Sequence, residues 1–192
     1  MFYQTEVQSF IRVSPVKFGV PTPQAVLEEL REQFENYVSK ELGIVIGVSS
    51  ILTIGDGIIV PGDGAAYYDT HFKLLTYKPE IHEIVLGEVT DITDFGAFLS
   101  LGPLDGMIHV SQTMDDFVSF SKANVLTGKE TKRTLKIGDK CRARVIAVSY
   151  KDVANPRIGL TMRQPLLGNL HWIEEDLKKT TKKEVVVKEG KK

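Results

Sequence analysis

The sequence predicts an α+β fold in two parts: a helix-bearing β unit, then a small antiparallel barrel of five strands. Three observations carry this expectation. One stretch near the N-terminus, Thr22 to Leu42, repeats its apolar residues at helical spacing. Most of the chain as far as Met162 runs instead in short β-rich segments broken by glycine-containing turns. Between the parts lies "TYKPEIHE", Thr76 to Glu83, where Pro79 holds the backbone in an extended or turning path and the alternation restarts.

The first unit reads β-α-β-β-β. Phe2 to Val13 alternates loosely as an opening strand, and Pro15 ends it. Thr22 then suits an N-cap with Pro23 at the first helical position, and Val26, Leu27, Leu30, Phe34, Val38 and Leu42 share one face. Gly43 is placed to stop the helix, whose opposite face of Glu28, Glu29, Glu32 and Glu35 suits solvent. Strands are expected over Ile44–Ile54, Gly57–Val60 and Tyr67–Tyr77, separated by "GDG" (Gly55, Asp56, Gly57) and "PGDG" (Pro61, Gly62, Asp63, Gly64). Each reads most simply as a hairpin turn, since glycine accepts positive φ there. Two such turns flanked by Ile58, Ile59 and Val60 also suit an apolar tip that docks into a partner's crevice.

The second unit places strands at Ile84–Ile92, Ala97–Leu101, Met107–Val110, Cys141–Ser149 and Ile158–Met162, with "GPLDG" (Gly102 to Gly106) as a turn. Five short strands with a glycine at a sharp bend fit an oligonucleotide-binding (OB) barrel. The polar connection from Ser111 to Gly138, containing "GKETKR", is long enough to expect a functional or mobile loop. A short helix is expected over "NLHWIEEDLKK", followed by a Lys-rich flexible tail. The expected divisions are residues 1–78, 79–170 and 171–192.

At 192 residues, 42% hydrophobic and 26% charged, the chain can build one large or two small cores. Ile44 to Val60 is too short and too interrupted to cross a bilayer, so no membrane association is expected. The N-terminal "MFYQTEVQSF" lacks the basic and apolar regions of a secretory signal, and a lone Cys141 suits a reducing cytoplasm. The net charge of -1 hides an asymmetry. Pro79 to Ser121 carries eight acidic residues and no Lys or Arg, whereas Lys122 to Arg163 carries eleven basic residues against Glu130, Asp139 and Asp152. A polyanion site can therefore exist in a nearly neutral chain.

The informative stretch is "EVTDITDFGAFLSLGPLDGMIHVSQ". Ala97, Leu99 and Leu101 share the parity that fills a narrow barrel, which turns Phe98 outward. Phe95 sits at the bend around Gly96, His109 comes from the adjacent strand, and Arg142 and Arg144 face away from Cys141, Ala143 and Val145. Isolated aromatics are more often core, but aromatic faces beside guanidinium groups suit single-stranded nucleic acid. Phe95, Phe98 and His109 are the stacking candidates, and Arg142, Arg144, Lys151 and Arg157 the phosphate candidates.

With "LKIGDKCRARVIAVS" and "RIGLTMR", this stretch resembles the S-one type RNA-binding domain from about Ile84 to Arg163. The resemblance implies an RNA face with aromatics at Phe95 and Phe98, a histidine at His109 and a basic residue at Arg157. The family's acidic residue near the end of the fourth strand falls at Ser149, where this chain departs. The whole pattern, including "GDGIIVPGDGAAYYDTHFKLLTYKPEIHEIVLGEV" fused directly to the barrel, resembles the archaeal RNA polymerase E-prime family, counterparts of the eukaryotic seventh subunit. That implies a truncated ribonucleoprotein-like first unit, a stalk whose tip plugs into the RNA polymerase core beside the clamp, a small helical partner (the F subunit), and single-stranded RNA bound by the barrel.

No catalytic residue, metal site or cofactor is expected. His71, His82, His109 and His171 show no ligand spacing, and "PGDG" lacks the lysine of a phosphate-binding loop. Asp115 and Asp116 have no acid or base partner placed by the sequence. The phosphodiester chemistry of such a nucleotidyltransferase complex would lie in other chains. The rival expectations are a ribosome-associated RNA-binding module, a ribonuclease, and a barrel used for protein docking.

Overall fold

The computed structural model describes residues 1–121, 124–150 and 156–178. The chain divides into two compact units, Met1–Lys78 and a second beginning at Pro79.

The first unit is a four-stranded antiparallel sheet covered by one helix. Its elements are β1 (Phe2–Val13), a 3-10 turn (Pro15–Lys17), α1 (Thr22–Phe34), β2 (Val38–Ser39), β3 (Gly43–Ile59) and β4 (Ala66–Tyr77), with sheet order β1-β4-β3-β2. Ala25, Val26 and Leu30 of α1 are buried against Ile11, Val13, Val45, Phe72 and Leu74. The glutamate face of α1 is not merely solvated, because Glu29 and Glu32 converge on Lys17 at 3.4 and 3.0 Å.

Several expectations for this unit need correction. α1 ends at Phe34, not at Leu42, because Glu35 is extended and Asn36 adopts a left-handed φ of 63°. Asn36 N–H donates to the Val45 carbonyl instead of continuing the helix. Gly43 caps nothing: its φ is +77°, and a Cβ there would collide with the Tyr77 carbonyl, so it allows β3 to approach β4.

"GDG" is likewise not a turn. β3 runs unbroken from Gly43 to Ile59, and Gly55 to Gly57 form one of four irregularities along it. A Cβ on Gly57 would meet the Tyr68 ring at 2.8 Å, so glycine lets that ring lie against the strand. The four irregularities give β3 three residues for every two of β4, the signature of successive bulges. Val45, Val48, Ile51 and Ile54 therefore face Thr76, Leu74, Phe72 and Thr70 and supply the core at a spacing of three. The loop that reverses the chain, between Ile59 and Ala66, contains Pro61 to Gly64.

The second unit contains the barrel strands β5 (Ile84–Thr93), β6 (Gly96–Ser100) and β7 (Asp105–His109), then α2 (Val110–Thr113). After these come β8 (Val118–Ser121), β9 (Val125–Gly128), β10 (Thr134–Leu135), β11 (Lys140–Ser149), β12 (Arg157–Thr161) and β13 (Gly168–Asn169). Strands β12-β7-β6-β5-β11 pair in that order and β11 returns to β12, closing a five-stranded barrel. Four junctions are antiparallel and one, β7 with β12, is parallel. Val89, Ile92, Ala97, Leu99, Ile108, Ala143, Val145, Ile158 and Leu160 fill its interior. Cys141 is buried there too, and desolvation pushes its thiol up to about 12.

The described part of the long connection is structured, with β8, β9 and β10 forming their own antiparallel sheet. The Asp116 carboxylate organises it by accepting the N–H groups of Glu130 and Thr131 at 3.0 and 2.8 Å and the Thr131 hydroxyl at 2.8 Å. Residues 170–178 are helical, with Trp172 and Ile173 buried. The expected Lys-rich tail lies outside the described residues.

The period-three packing of β3 can be tested by neighbouring substitutions. Ile51→Ser should destabilise the chain by about 2 kcal/mol in urea unfolding, and exposed Leu52→Ser by no more than about 0.5 kcal/mol. Equal losses would contradict the bulged register.

Candidate nucleic-acid interface

The barrel presents one aromatic face, and the backbone dictates its position. Asp94 and Phe95 form the turn between β5 and β6, where Thr93 pairs with Gly96. A Cβ on Gly96 would collide with the Ile108 carbonyl, so this approach of β6 to β7 requires glycine. Beyond it, Ala97 and Leu99 are fully buried and Phe98 turns out. The Phe95 and Phe98 rings meet edge to face, with centroids 6.1 Å apart and planes at 89°. Phe95 remains 46% exposed.

His109 lies opposite Gly96, and the Val110 N–H donates to the Phe95 carbonyl at 2.9 Å, which ties the histidine's strand to the turn. Its Nδ1 accepts from the Ser111 N–H at 3.3 Å and lies 2.8 Å from Ser111 Oγ. Phe98 faces Met107, a half-buried member of the strip that sequence reasoning missed. Its signal was the parity of Asp105, Met107 and His109 against buried Gly106 and Ile108.

The expected cations do not gather around this strip. Arg142 and Arg144 lie opposite Leu86 and Ile84 near the start of β5, whereas Phe98 lies opposite Asp91 near its end. Both arginines are half-buried, Arg142 reaches the Leu166 carbonyl at 3.5 Å, and Arg144 Nε is buried with no partner among the described residues. The segment after β12 returns along β11, where Gly168 pairs with Arg142, so these guanidinium groups are poorer surface cations than strand parity alone suggested.

Arg157 is exposed opposite Ser149, the position without the family's acidic residue, and makes no ion pair among the described residues. Lys151 lies outside them. Arg133 of the basic connection pairs with Asp176 at 2.5 Å and stacks over Trp172, while Arg163 pairs with Asp115 at 2.7 Å. The basic half of the sequence is thus partly neutralised by its own fold.

The hairpin loop of the first unit is a second candidate surface. Ile58, Ile59 and Val60 are exposed beside it, and Gly62 and Gly64 have φ of 95° and 70°. Asp63 does more than form the turn. It takes a two-pronged ion pair from Arg12 at 2.9 and 2.7 Å and the Tyr67 hydroxyl at 2.6 Å, fixing the loop to β1 and β4. These donors, Arg12 foremost, lower its carboxyl to about 2.

Among the described residues no group of three or more His, Cys, Asp or Glu could hold a metal ion, and no helix is long and apolar enough to cross a membrane.

The S1 RNA binding domain profile matches residues 78–162, and that of the SHS2 domain found in the N terminus of Rpb7p/Rpc25p/MJ0397 matches residues 9–64. The DNA-directed RNA polymerase subunit Rpo7 of Saccharolobus solfataricus is 40% identical over 180 residues, covering 93% of this chain and 100% of that protein. This chain belongs to the Rpo7 family of DNA-directed RNA polymerase subunits. Rpo7 of Sulfolobus acidocaldarius is 35% identical over 95% of this chain and 100% of its own. DNA-directed RNA polymerase III subunit RPC8 of Bos taurus is 26% identical over 80% and 79%. In this Rpo7-family chain the aromatic strip lies within the S1 match, and the whole of the bulged β3 within the SHS2 match.

Gly96→Ala should cost roughly 2 kcal/mol or more in barrel stability, because backbone and not a flexible side chain blocks the added methyl group. Asp63 should titrate at about 2 by carbon-detected NMR and return toward the ordinary carboxylate range in Arg12→Gln. Since its folded value is depressed, the anchor's stabilisation is present above the unfolded value near 4 and is lost as pH falls through about 2.

Proposed function

We propose that this chain is the noncatalytic stalk subunit of its polymerase, paired with a small helical partner (the F subunit), docked on the core near the clamp, and binding emerging RNA with its barrel. The observation that carries the RNA part is the edge-to-face pair of exposed Phe95 and half-buried Phe98 beside His109 on one barrel face. An aromatic face accepts any base by stacking, at ~1 to 3 kcal/mol per base, while cations beside it meet the phosphates. In this reading exposed Arg157 meets phosphate, and Lys151 is proposed for the same role from its place in the sequence. Arg142 and Arg144 act on strand leaving the face at the other edge.

The docking part rests on the first unit's hairpin. Exposed Ile58, Ile59 and Val60 supply apolar side chains, and the Arg12–Asp63–Tyr67 cluster holds the loop without needing a partner. A pre-ordered apolar loop loses little entropy on entering a crevice. Gly55, Asp56 and Gly57 contribute from within β3, where Gly57 lets Tyr68 approach, while Pro61, Gly62, Asp63 and Gly64 form the contact itself. Phosphodiester chemistry belongs to other subunits, and the complex works in the cytoplasm.

Titration with labelled single-stranded RNA at several salt concentrations tests the first part. Phe98→Ala should weaken binding about tenfold with little change in salt slope. Arg157→Gln should reduce the magnitude of the log–log slope by about 0.7. Unchanged affinity in Phe98→Ala would contradict the stacking role. For docking, Ile59→Ser with Asp63→Ala should lose the polymerase core in affinity capture while retaining RNA binding; retained core would contradict the tip.

A further inference from the structure

Beside the aromatic strip the second unit opens a cleft of about 420 Å³, lined by Ser111, Met114, Asp115, Phe117, Glu130 and Arg163 among others. This volume falls within the range of small-molecule sites. Phe117 is 75% exposed, and its backbone is tied to the facing loop because its carbonyl accepts the Lys129 N–H at 2.9 Å. Ser111 joins the cleft to the strip through its 2.8 Å contact with His109 Nδ1.

The charges in the cleft decide what it can hold. Arg163 is already paired with Asp115 through Nε at 2.9 Å and Nη2 at 2.7 Å. Asp116 is occupied by the Glu130 and Thr131 donors. The Glu130 side-chain carboxylate has no partner among the described residues. A phosphate would therefore meet three carboxylates against one arginine whose charge is taken. A flat group that donates hydrogen bonds would meet an aromatic face and a free bidentate acceptor. Among the bases, guanine places two adjacent donors, N1–H and N2–H, on its pairing edge, the arrangement a carboxylate accepts with both oxygens.

We propose that this cleft is a nucleobase pocket at the end of the aromatic strip, with Phe117 stacking on a guanine and Glu130 accepting its N1–H and N2–H. The proposal deepens the RNA-binding reading and rests on it. Single-stranded RNA is read in this way, by stacking on aromatics and hydrogen bonding to the pairing edge. Glu130 therefore supplies base preference, while Phe95, Phe98 and His109 hold neighbouring bases without regard to identity.

Fluorescence anisotropy of the full chain with oligouridine, and with the same oligomer carrying one central guanosine or inosine, tests the pocket. Guanosine should bind about tenfold more tightly than uridine, with inosine, which lacks the N2 amino group, between them. Glu130→Gln and Phe117→Ala should each erase that difference. Both side chains are exposed, so the variants should keep the wild-type thermal unfolding curve. Equal affinity for the three oligomers in wild type, with Phe98→Ala still weakening all of them, would overturn the pocket alone. Persistence of the guanosine preference in both variants would also overturn it. Failure of wild type to bind any oligomer would overturn the pocket together with the RNA-binding reading.

Discussion

A five-stranded barrel has room for one set of side chains per strand, so every second residue must point away from it. At β6 this constraint is tightest, because the Ile108 carbonyl stands where a Gly96 Cβ would be. With β6 held that close to β7, Ala97 and Leu99 fit the interior and Phe98 has only the outside. Phe95, at the turn that opens the strand, meets Phe98 edge to face. The aromatic strip is thus a consequence of packing, produced by a single backbone approach.

The first unit meets a different constraint. β3 must give core residues to a sheet while curving, and it does so by inserting an extra residue at each of four irregularities against β4. The result is core-facing apolar side chains every three residues, with Leu52, Ile58 and Ile59 exposed. The strand ends in a loop held by Arg12, Asp63 and Tyr67, so curvature in the middle and rigidity at the end belong to one hairpin. Bulges increase twist and re-aim side chains, which places small residues where Tyr68 needs space and apolar ones beside the loop.

The barrel strands and the outward turn of Phe98 were legible because alternation has a fixed period of two and the glycines mark its bends. The start of α1 was legible to within one residue from Thr22 and Pro23, although the N-cap is Pro21 and Thr22 is already the first helical residue. Its end was not, because Val38 and Leu42 continue the helical spacing by chance, and the signal that stops the helix is Asn36 in a left-handed conformation. "GDG" resembled a turn because glycine serves bulges and turns alike; Val45, Val48, Ile51 and Ile54 at intervals of three carried the correct reading. Arg142 and Arg144 were placed on the right face of β11, but strand parity cannot report that the chain would return to cover them. Phe117 was hidden in a connection read as a loop.

The central claim is that RNA lies across the outer face of β6 and β7. Photocrosslinking of 4-thiouridine-labelled RNA to the full chain, with the modified peptides mapped by mass spectrometry, tests this most directly. The account predicts adducts at Phe95, Phe98 and His109. Adducts confined to the β5–β11 face around Arg142 and Arg144, or to the first unit, would contradict it.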